Sequence, residues 1–265
     1  TAFGRNVLRG IGRYLREHDG WSCFISPGAN SQFPPGLRHW SGQGVIADLR
    51  DPRMARAVAA LKLPTVNVGE PIRGANFPLV CNNDEAIGRM AAAHFLDSGH
   101  RRFAYYGDNQ SYSAARLGGY RAELAASGYD CSAYWPKVRK VNWALHRRLT
   151  SQWALELPKP VAVLAVEDNL GRTLLAACQD VGVKVPEEMA IVGVDDDSAI
   201  CNLLYPPLSS VDPASDLRGY EAARVLHGML QGETPTTRPI LIQPRCVMPR
   251  MSSDCFAVED HEVAQ

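Results

Sequence analysis

The sequence lacks an excess of either charge, because its 28 Lys and Arg residues balance its 28 Asp and Glu residues. Nucleic-acid binding needs a basic surface that faces the phosphates, so this balance argues against DNA binding by these residues alone. The sequence also lacks an apolar run of membrane-spanning length, and its first residues do not form a signal-peptide pattern. These absences predict a protein that does not contact a membrane.

Metal and redox motifs are missing as well. The seven cysteines are scattered without a C-x-x-C pair, which is typical of a reduced, cytoplasmic protein. The seven histidines lack the spacing of a helical metal site, so no metal or cofactor is predicted. Neither a G-x-S-x-G elbow nor a glycine-rich phosphate loop is present, which disfavours a hydrolase or a nucleotide-binding protein.

The sequence does contain one pattern five times, a short apolar run that ends in a carboxylate. The five runs are GVIADLRD, PTVNVGEP, FAYYGDN, VAVLAVEDN and AIVGVDDDS. They are apolar on both faces, as parallel strands buried between helices are. Amphipathic helix patterns such as NDEAIGRMAAAHFLDSG and DNLGRTLLAACQDVG alternate with the runs. This alternation predicts an α/β fold with parallel sheets flanked by helices.

The acids at the strand ends fit three roles: metal ligands, a catalytic acid pair, or hydrogen-bond acceptors for a ligand. Ligands of such folds bind beyond the carboxyl ends of the strands, where these acids lie. An Asp after a strand is also a common helix N-cap, which is the favoured interpretation for Asp196 and Asp197. As acceptors beside Arg116 and Tyr112, four of the strand-end acids would suit a small, neutral, polyhydroxylated ligand. They are Asp48, Glu70, Asp168 and Asp195.

Several longer segments resemble the effector-binding core of the lactose-repressor (LacI/GalR) family. They are CNNDEAIGRMAAAHFLDSGHRRFAYYG, SAARLGGYRAEL, AVEDNLGRTLLAACQDVGVKVPEEMAIVGVDDD and PPLSSVDPASDLRGYEAARVL. The segments GQGVIADLRD and YYGDNQSYSAAR, together with the tail VMPRMSSDCFAVEDHEVAQ, resemble more closely the AraC-type xylose operon regulators. The resemblance covers nearly the whole chain, and its motifs have the order and spacing of the family.

The resemblance implies a periplasmic-binding-protein-like fold of type I, in which two α/β lobes hold a sugar between them. Residues 1–82 and 213–239 are expected in lobe one, and residues 83–212 and 240–250 in lobe two. Residues 251–265 are expected to form a linker toward an AraC-type helix-turn-helix domain that is absent from this chain.

The resemblance also implies a set of ligand contacts. Arg116, Asp168, Asp195 and Tyr112 match family positions, whereas Glu167 replaces the Asn of the family pattern. The full predicted set of ligand-binding residues is Arg116, Asp168, Asp195, Tyr112, Asp48, Glu70, Glu167 and Phe3. Two of these acids are included for their strand-end position alone, and the phenylalanine as the last residue of a pocket loop whose earlier part precedes Thr1.

The function implied by this resemblance is the sensor domain of a DNA-binding transcriptional regulator. The effector would be xylose or a related pentose, and the protein would be a cytoplasmic homodimer without enzymatic activity. An extracytoplasmic sugar-binding protein of a transporter is the alternative. A sugar isomerase or hydrolase that uses Glu167 and Asp168 is a third hypothesis, which the opposite directions of adjacent residues disfavour.

Overall fold

The structure, a computed structural model, describes residues 2–26, 40–136 and 142–255. The chain divides into two compact units. The first contains Thr1–Asn82 and Ala214–Ile242, and the second contains Asn83–Pro213 and Gln243–Gln265. Each unit has parallel strands and flanking helices, so the predicted α/β class is confirmed.

In chain order the helices are α1 (Ala2–Glu17), α2 (Pro52–Ala59), α3 (Asp84–Asp97), α4 (Ser111–Ala126), α5 (Trp143–Glu156), α6 (Asp168–Val181), α7 (Ser198–Cys201) and α8 (Ser215–Leu230). The strands are β1 (Val45–Ala47), β2 (Thr65–Asn67), β3 (Val80–Asn82), β4 (Phe103–Tyr106), β5 (Cys131–Tyr134), β6 (Val161–Ala165), β7 (Met189–Val194), β8 (Ser209–Asp212), β9 (Ile240–Ile242) and β10 (Cys246–Met248). In the described part of the chain, no helix is both long and apolar enough to cross a membrane.

In the first unit, β1 pairs in parallel with β2, and β3 pairs in parallel with β9. A bridge between Asn67 and Leu79 connects β2 to the residue before β3. The predicted division, which placed residues 240–250 in lobe two, is wrong for β9. This strand belongs to the first unit because Ile242 is buried there against the core that contains Val80.

The second unit contains a six-stranded sheet in the order β10-β8-β7-β6-β4-β5. Every neighbouring pair is parallel except β10 with β8. Strands β4, β6 and β7 are buried along their whole length, which explains why their sequences are apolar on both faces. Their carboxyl ends lie at one edge of the sheet, where Asp108, Glu167 and Asp195 follow them.

The helix boundaries follow local capping chemistry. Asn83 caps α3 by accepting a hydrogen bond from the backbone N–H of Ala86, and Gly182 ends α6 with a φ of 73°. Helix α5 had no counterpart in the sequence analysis, although Asn142 caps it in the same way as Asn83 caps α3.

The segment expected to be a linker begins as a packed part of the second unit. Met251–Ser253 forms a 3-10 helix in which Ser252 and Ser253 are buried. The Ser252 hydroxyl accepts from the backbone N–H of Ser209 in β8 and donates to the Ile191 carbonyl oxygen in β7, so the prediction of a linker from residue 251 is wrong. Residues 256–265 lie outside the described residues.

Candidate functional site

Arg116 is buried in the second unit although its guanidinium carries a full charge. Its Nε donates to Asp84 Oδ1 over 2.8 Å, and its Nη1 donates to the carbonyl oxygen of Val166. Burial lowers the pKa of Arg116, but the carboxylates of Asp84 and Asp195 outweigh burial and the net pKa is raised. A permanent cation is therefore fixed where β6 ends.

Tyr112 lies one helical turn before Arg116, with the guanidinium carbon 4.8 Å from the centroid of its ring. The Tyr112 hydroxyl donates to Asp108 Oδ2 over 3.1 Å. Burial first, and then the charges of Glu167 and Asp108, raise the pKa of Tyr112. The structure thus brings together Arg116, Tyr112, Asp108 and Glu167, of which only Asp108 was not among the predicted contacts.

The three consecutive aspartates after β7 have three different environments. Asp195 and Asp196 have positive φ angles of 113° and 44°, a backbone conformation that residues other than glycine rarely adopt. Asp196 Oδ1 accepts from Arg250 Nη2 over 2.7 Å. Asp197 Oδ1 accepts from the backbone N–H of Ala199, so its predicted role as the N-cap of the following helix is confirmed. The predicted cap at Asp196 is wrong, because its carboxylate pairs with the arginine instead.

Asp168 is 2% exposed, and hydrogen-bond donors of its own unit occupy both of its oxygens. Oδ1 accepts from the Ser210 hydroxyl over 2.6 Å, and Oδ2 accepts from the backbone N–H of Asp197 over 2.8 Å. Burial, reinforced by the charge of Asp195, raises the pKa of Asp168 to about 7. This geometry gives Asp168 a role in positioning the loop after β7, while direct ligand contact stays a prediction.

The remaining predicted contacts, Phe3, Asp48 and Glu70, belong to the first unit. The guanidinium carbons of Arg50 and Arg218 lie 5.7 and 4.9 Å from the centroid of the Phe3 ring. Arg50 Nε donates to Asp48 Oδ1 over 2.9 Å. The structure therefore links Phe3 to the strand end that carries Asp48.

Asn67, at the end of β2, is a residue that the sequence analysis missed. Its Oδ1 accepts from the backbone N–H groups of Leu49 and Gly69 over 3.1 and 2.7 Å. Its Nδ2 donates to the Glu70 carbonyl oxygen over 2.7 Å. One buried amide thus fixes the ends of β1 and β2, and the signal was a lone polar residue within an apolar strand.

Arg218 on α8 is a second missed residue. It is buried, and its Nε and Nη2 donate to the carbonyl oxygens of Val80 and Gly69 over 3.0 and 2.6 Å. The available signal was a charged residue at a buried position of an amphipathic helix pattern.

These arrangements favour hydrogen bonding over the other two roles of the strand-end acids. The described residues contain no group of three His, Cys, Asp or Glu side chains that could hold a metal ion. Both oxygens of the buried Asp168 accept hydrogen bonds within its own unit, which disfavours an acid pair of Asp168 with Glu167. Arg116 and Tyr112 supply donors and Asp108 and Glu167 supply acceptors, which is the chemistry that hydroxyl groups need.

The chain is similar to known ligand-sensing proteins along most of its length. Residues 92–253 match the family model of the periplasmic binding protein-like domain, and residues 1–81 match that of the XylR N-terminal domain. The xylose operon regulatory protein of Haemophilus influenzae is 30% identical, covering 99% of this chain and 70% of its own length. That of Escherichia coli (strain K12) is 29% identical, covering 100% of this chain and 70% of its own length. A solved structure of the xylose-binding transcription activator xylR has a TM-score of 0.86 at 28% identity, covering 100% of this chain and 70% of that one.

The fold and the strand-end polar groups define an α/β ligand-binding domain. The chain belongs to the family of periplasmic binding protein-like domains, in the group that contains the xylose operon regulators. It is the ligand-sensing domain of a transcriptional regulator.

Proposed function

We propose that the ligand is a small neutral sugar, xylose or a related pentose, and that Arg116, Tyr112, Asp195 and Glu167 contact it. The observation that carries this proposal is the buried Arg116. Its guanidinium carbon lies over the ring of Tyr112, and the charge of Asp195 contributes to its raised pKa. A guanidinium donates to hydroxyl and ring oxygens, carboxylates accept from hydroxyls, and an aromatic ring covers the C–H face of a sugar. The names of the xylose regulators support a pentose.

The backbone at Asp195 supports the same proposal. A positive φ at a residue other than glycine costs about 1–3 kcal/mol, and such residues concentrate at ligand sites. Glycine would relieve this strain but would remove the carboxylate. The strained backbone at Asp195 therefore supports the proposal that its carboxylate accepts a hydrogen bond from a sugar hydroxyl.

The first unit's Phe3, Asp48 and Glu70 are proposed as further sugar contacts. Arg50 and Arg218 hold the Phe3 ring, and Asn67 holds the two strand ends that carry the acids. Asp168 is proposed to act through Asp197 and Ser210, by fixing the loop after β7.

The finer features of the regulator are proposals as well. We infer that the sensor acts with a C-terminal helix-turn-helix domain of the AraC type, because the relatives are longer than this chain. A neutral sensor needs a separate basic domain to bind DNA. A cytoplasmic location is proposed because a regulator of transcription must reach DNA. A homodimer is also proposed, and sedimentation velocity would test it.

Sugar binding is tested by calorimetry and thermal shift with D-xylose, L-arabinose, D-ribose and D-glucose. A ligand that binds only the folded state stabilises it by about 2.7 kcal/mol at one hundred times its Kd, so the Tm should rise with xylose concentration. Arg116→Lys keeps the charge beside Asp84 but loses the planar fork, and it should weaken xylose binding at least tenfold.

The matched control is Arg121→Lys, because Arg121 lies on the same helix and is exposed. It should bind xylose like the unchanged protein. Xylose binding that survives Arg116→Lys unchanged would remove Arg116 from the site. The absence of binding with all four sugars would contradict the proposed ligand.

A further inference from the structure

The segment after β10 is bonded to the loop that carries Asp195. Arg250 precedes the 3-10 helix, and its guanidinium donates to three separate parts of the second unit. Nε donates to Asn202 Oδ1 over 3.0 Å, Nη1 to the Leu208 carbonyl oxygen over 3.1 Å, and Nη2 to Asp196 Oδ1 over 2.7 Å. Three nitrogen atoms therefore connect one residue of the C-terminal segment to the chain between β7 and β8.

Two serines that follow Arg250, Ser252 and Ser253, bond the same segment to β7, β8 and α3. The Ser252 hydroxyl accepts from the backbone N–H of Ser209 over 2.8 Å and donates to the Ile191 carbonyl oxygen over 2.6 Å. The Ser253 hydroxyl lies 2.8 Å from the Ser209 hydroxyl and 2.9 Å from His94 Nε2. These serines are buried, so each bond replaces one that water would otherwise make.

The loop that Arg250 contacts needs external support. Both Asp195 and Asp196 have positive φ angles, which the rest of the unit must hold in place. The backbone N–H groups of Asp195, Asp196 and Asp197 donate to the Val211 carbonyl, the Ser210 hydroxyl and Asp168 Oδ2. The Asp196 carboxylate connects this loop to the C-terminal segment by accepting a hydrogen bond from Arg250.

We propose that Arg250 is a positioning residue that holds Asp195 in its ligand-competent conformation and thereby couples ligand binding to the order of residues 250–254. The ligand part of this proposal rests on the sugar site proposed above. If the sugar binds better when the loop is held by Arg250, then by linkage the bound sugar must stabilise the Arg250 contacts by the same free energy. The C-terminal segment would then respond to sugar without touching it.

The first test needs no ligand and uses amide hydrogen exchange in Arg250→Gln. The amides of Asp196 and Asp197 should exchange at least tenfold faster than in the unchanged protein, while amides in the middle of β6 should keep their rates. The matched control is Arg245→Gln, because Arg245 also follows β9 and its Nη1 pairs with Asp212 Oδ2 over 2.9 Å. That control should leave the loop amides unchanged.

The second test measures coupling in the unchanged chain with D-xylose. Saturating xylose should slow exchange at Ser252, Ser253 and Asp254, and Arg250→Gln should abolish this slowing and weaken xylose binding about tenfold. Arg250→Lys, which can keep one bond to Asp196, should restore part of the affinity. If Arg250 merely stabilised the unit, Arg250→Gln would speed exchange throughout the unit, and in the unchanged chain xylose would slow residues 252–254 no more than the middle of β6.

The outcomes separate this proposal from the proposed ligand. Loop amides that exchange equally in Arg250→Gln and Arg245→Gln would overturn the positioning role, whatever the sugar result. Faster loop exchange without binding of any sugar would support the positioning role and contradict the ligand. Xylose binding with unchanged exchange at residues 252–254 would overturn the coupling.

Discussion

Each unit contains a buried arginine on the second of two crossing helices, and the two arginines hold different partners. Arg116 on α4 bonds a carboxylate of α3 and a carbonyl oxygen after β6, beside the ring of Tyr112. Arg218 on α8 bonds two carbonyl oxygens, one of β3 and one after β2, beside the ring of Phe3. Both arginines thus donate to carbonyl oxygens of their own unit, and Arg116 also forms an ion pair with Asp84 between α4 and α3.

The two helix pairs that carry these arginines approach each other about equally closely at a glycine. A Cβ atom at Gly119 would lie 1.9 Å from the Glu85 carbonyl oxygen, and one at Gly219 would lie 2.0 Å from the Val7 carbonyl oxygen. Both distances are far below van der Waals contact with an atom that cannot rotate away. The close approach of α3 with α4 and of α1 with α8 therefore depends on a glycine next to or near each arginine.

The partners of the two arginines differ in whether a substitution can remove them. The carboxylate that faces Arg116 can be removed by a second substitution, whereas the carbonyl oxygens that face Arg218 are part of the backbone. A double-mutant cycle can therefore measure the ion pair between Arg116 and Asp84.

The largest effect is expected for Arg116→Met. It leaves Asp84 without its partner in a largely buried position, which costs about 3–5 kcal/mol of unfolding free energy. Adding Asp84→Asn should recover at least about 1 kcal/mol, because the unpaired charge is then gone. Urea unfolding of the two single variants and the double variant measures this coupling. Purely additive losses would show that the contact between Arg116 and Asp84 does not stabilise the second unit.

The next largest losses of unfolding free energy are expected from substitutions at the helix crossings. Gly119→Ala and Gly219→Ala should each cost about 1–3 kcal/mol, because each helix pair must separate to admit the methyl group. The control is Gly118→Ala, on the same helix as Gly119 but with no atom within 4 Å of the added Cβ. It should be neutral or stabilising, since alanine favours a helix interior over glycine. Equal losses at Gly118 and Gly119 would contradict the close crossing.

The raised pKa of the buried Asp168 predicts that the unfolding free energy depends on pH. The pKa of Asp168 is raised to about 7, so the folded state binds this proton more tightly than the unfolded chain does. The stability that this provides is lost as the pH rises through about 7. Between pH 6 and 8 the unchanged protein should lose about 1 kcal/mol relative to Asp168→Asn.

Asp180→Asn is the control for this measurement. Hydrogen bonding to Arg147 lowers the pKa of Asp180, so its contribution is lost only as the pH falls well below 6. Its difference from the unchanged protein should stay constant between pH 6 and 8. A constant difference for Asp168→Asn as well would contradict a folded-state pKa of about 7 for Asp168.

The sequence predicted what local patterns determine. Strands β4, β6 and β7 and helices α3 and α6 followed from apolar periodicity and capping residues such as Asn83 and Gly182. The placement of β9 was wrong, because three apolar residues do not specify which sheet they join. Residues such as Asn67 and Arg218 were missed because their partners are backbone atoms, which sequence patterns do not identify.

The smallest effects concern the acids at the strand ends, where the two units can be compared by affinity for a pentose. Asp195→Asn keeps the shape but replaces one acceptor oxygen with a donor, and it should weaken xylose binding about fivefold, or about 1 kcal/mol. Asp48→Asn in the first unit should weaken it less, because Asp48 is exposed and already bonded to Arg50. Calorimetry on both variants measures the difference.

Asp197→Asn is the internal control for this last comparison. Asp197 accepts from the backbone N–H of Ala199 as the N-cap of α7, and Asn caps a helix about as well as Asp. The variant should therefore bind xylose like the unchanged protein, since its neighbour Asp195 remains. Greater damage from Asp197→Asn than from Asp195→Asn would mean that the first acid after β7 is not the sugar acceptor. Equal damage from Asp48→Asn and Asp195→Asn would mean that the two units contribute alike.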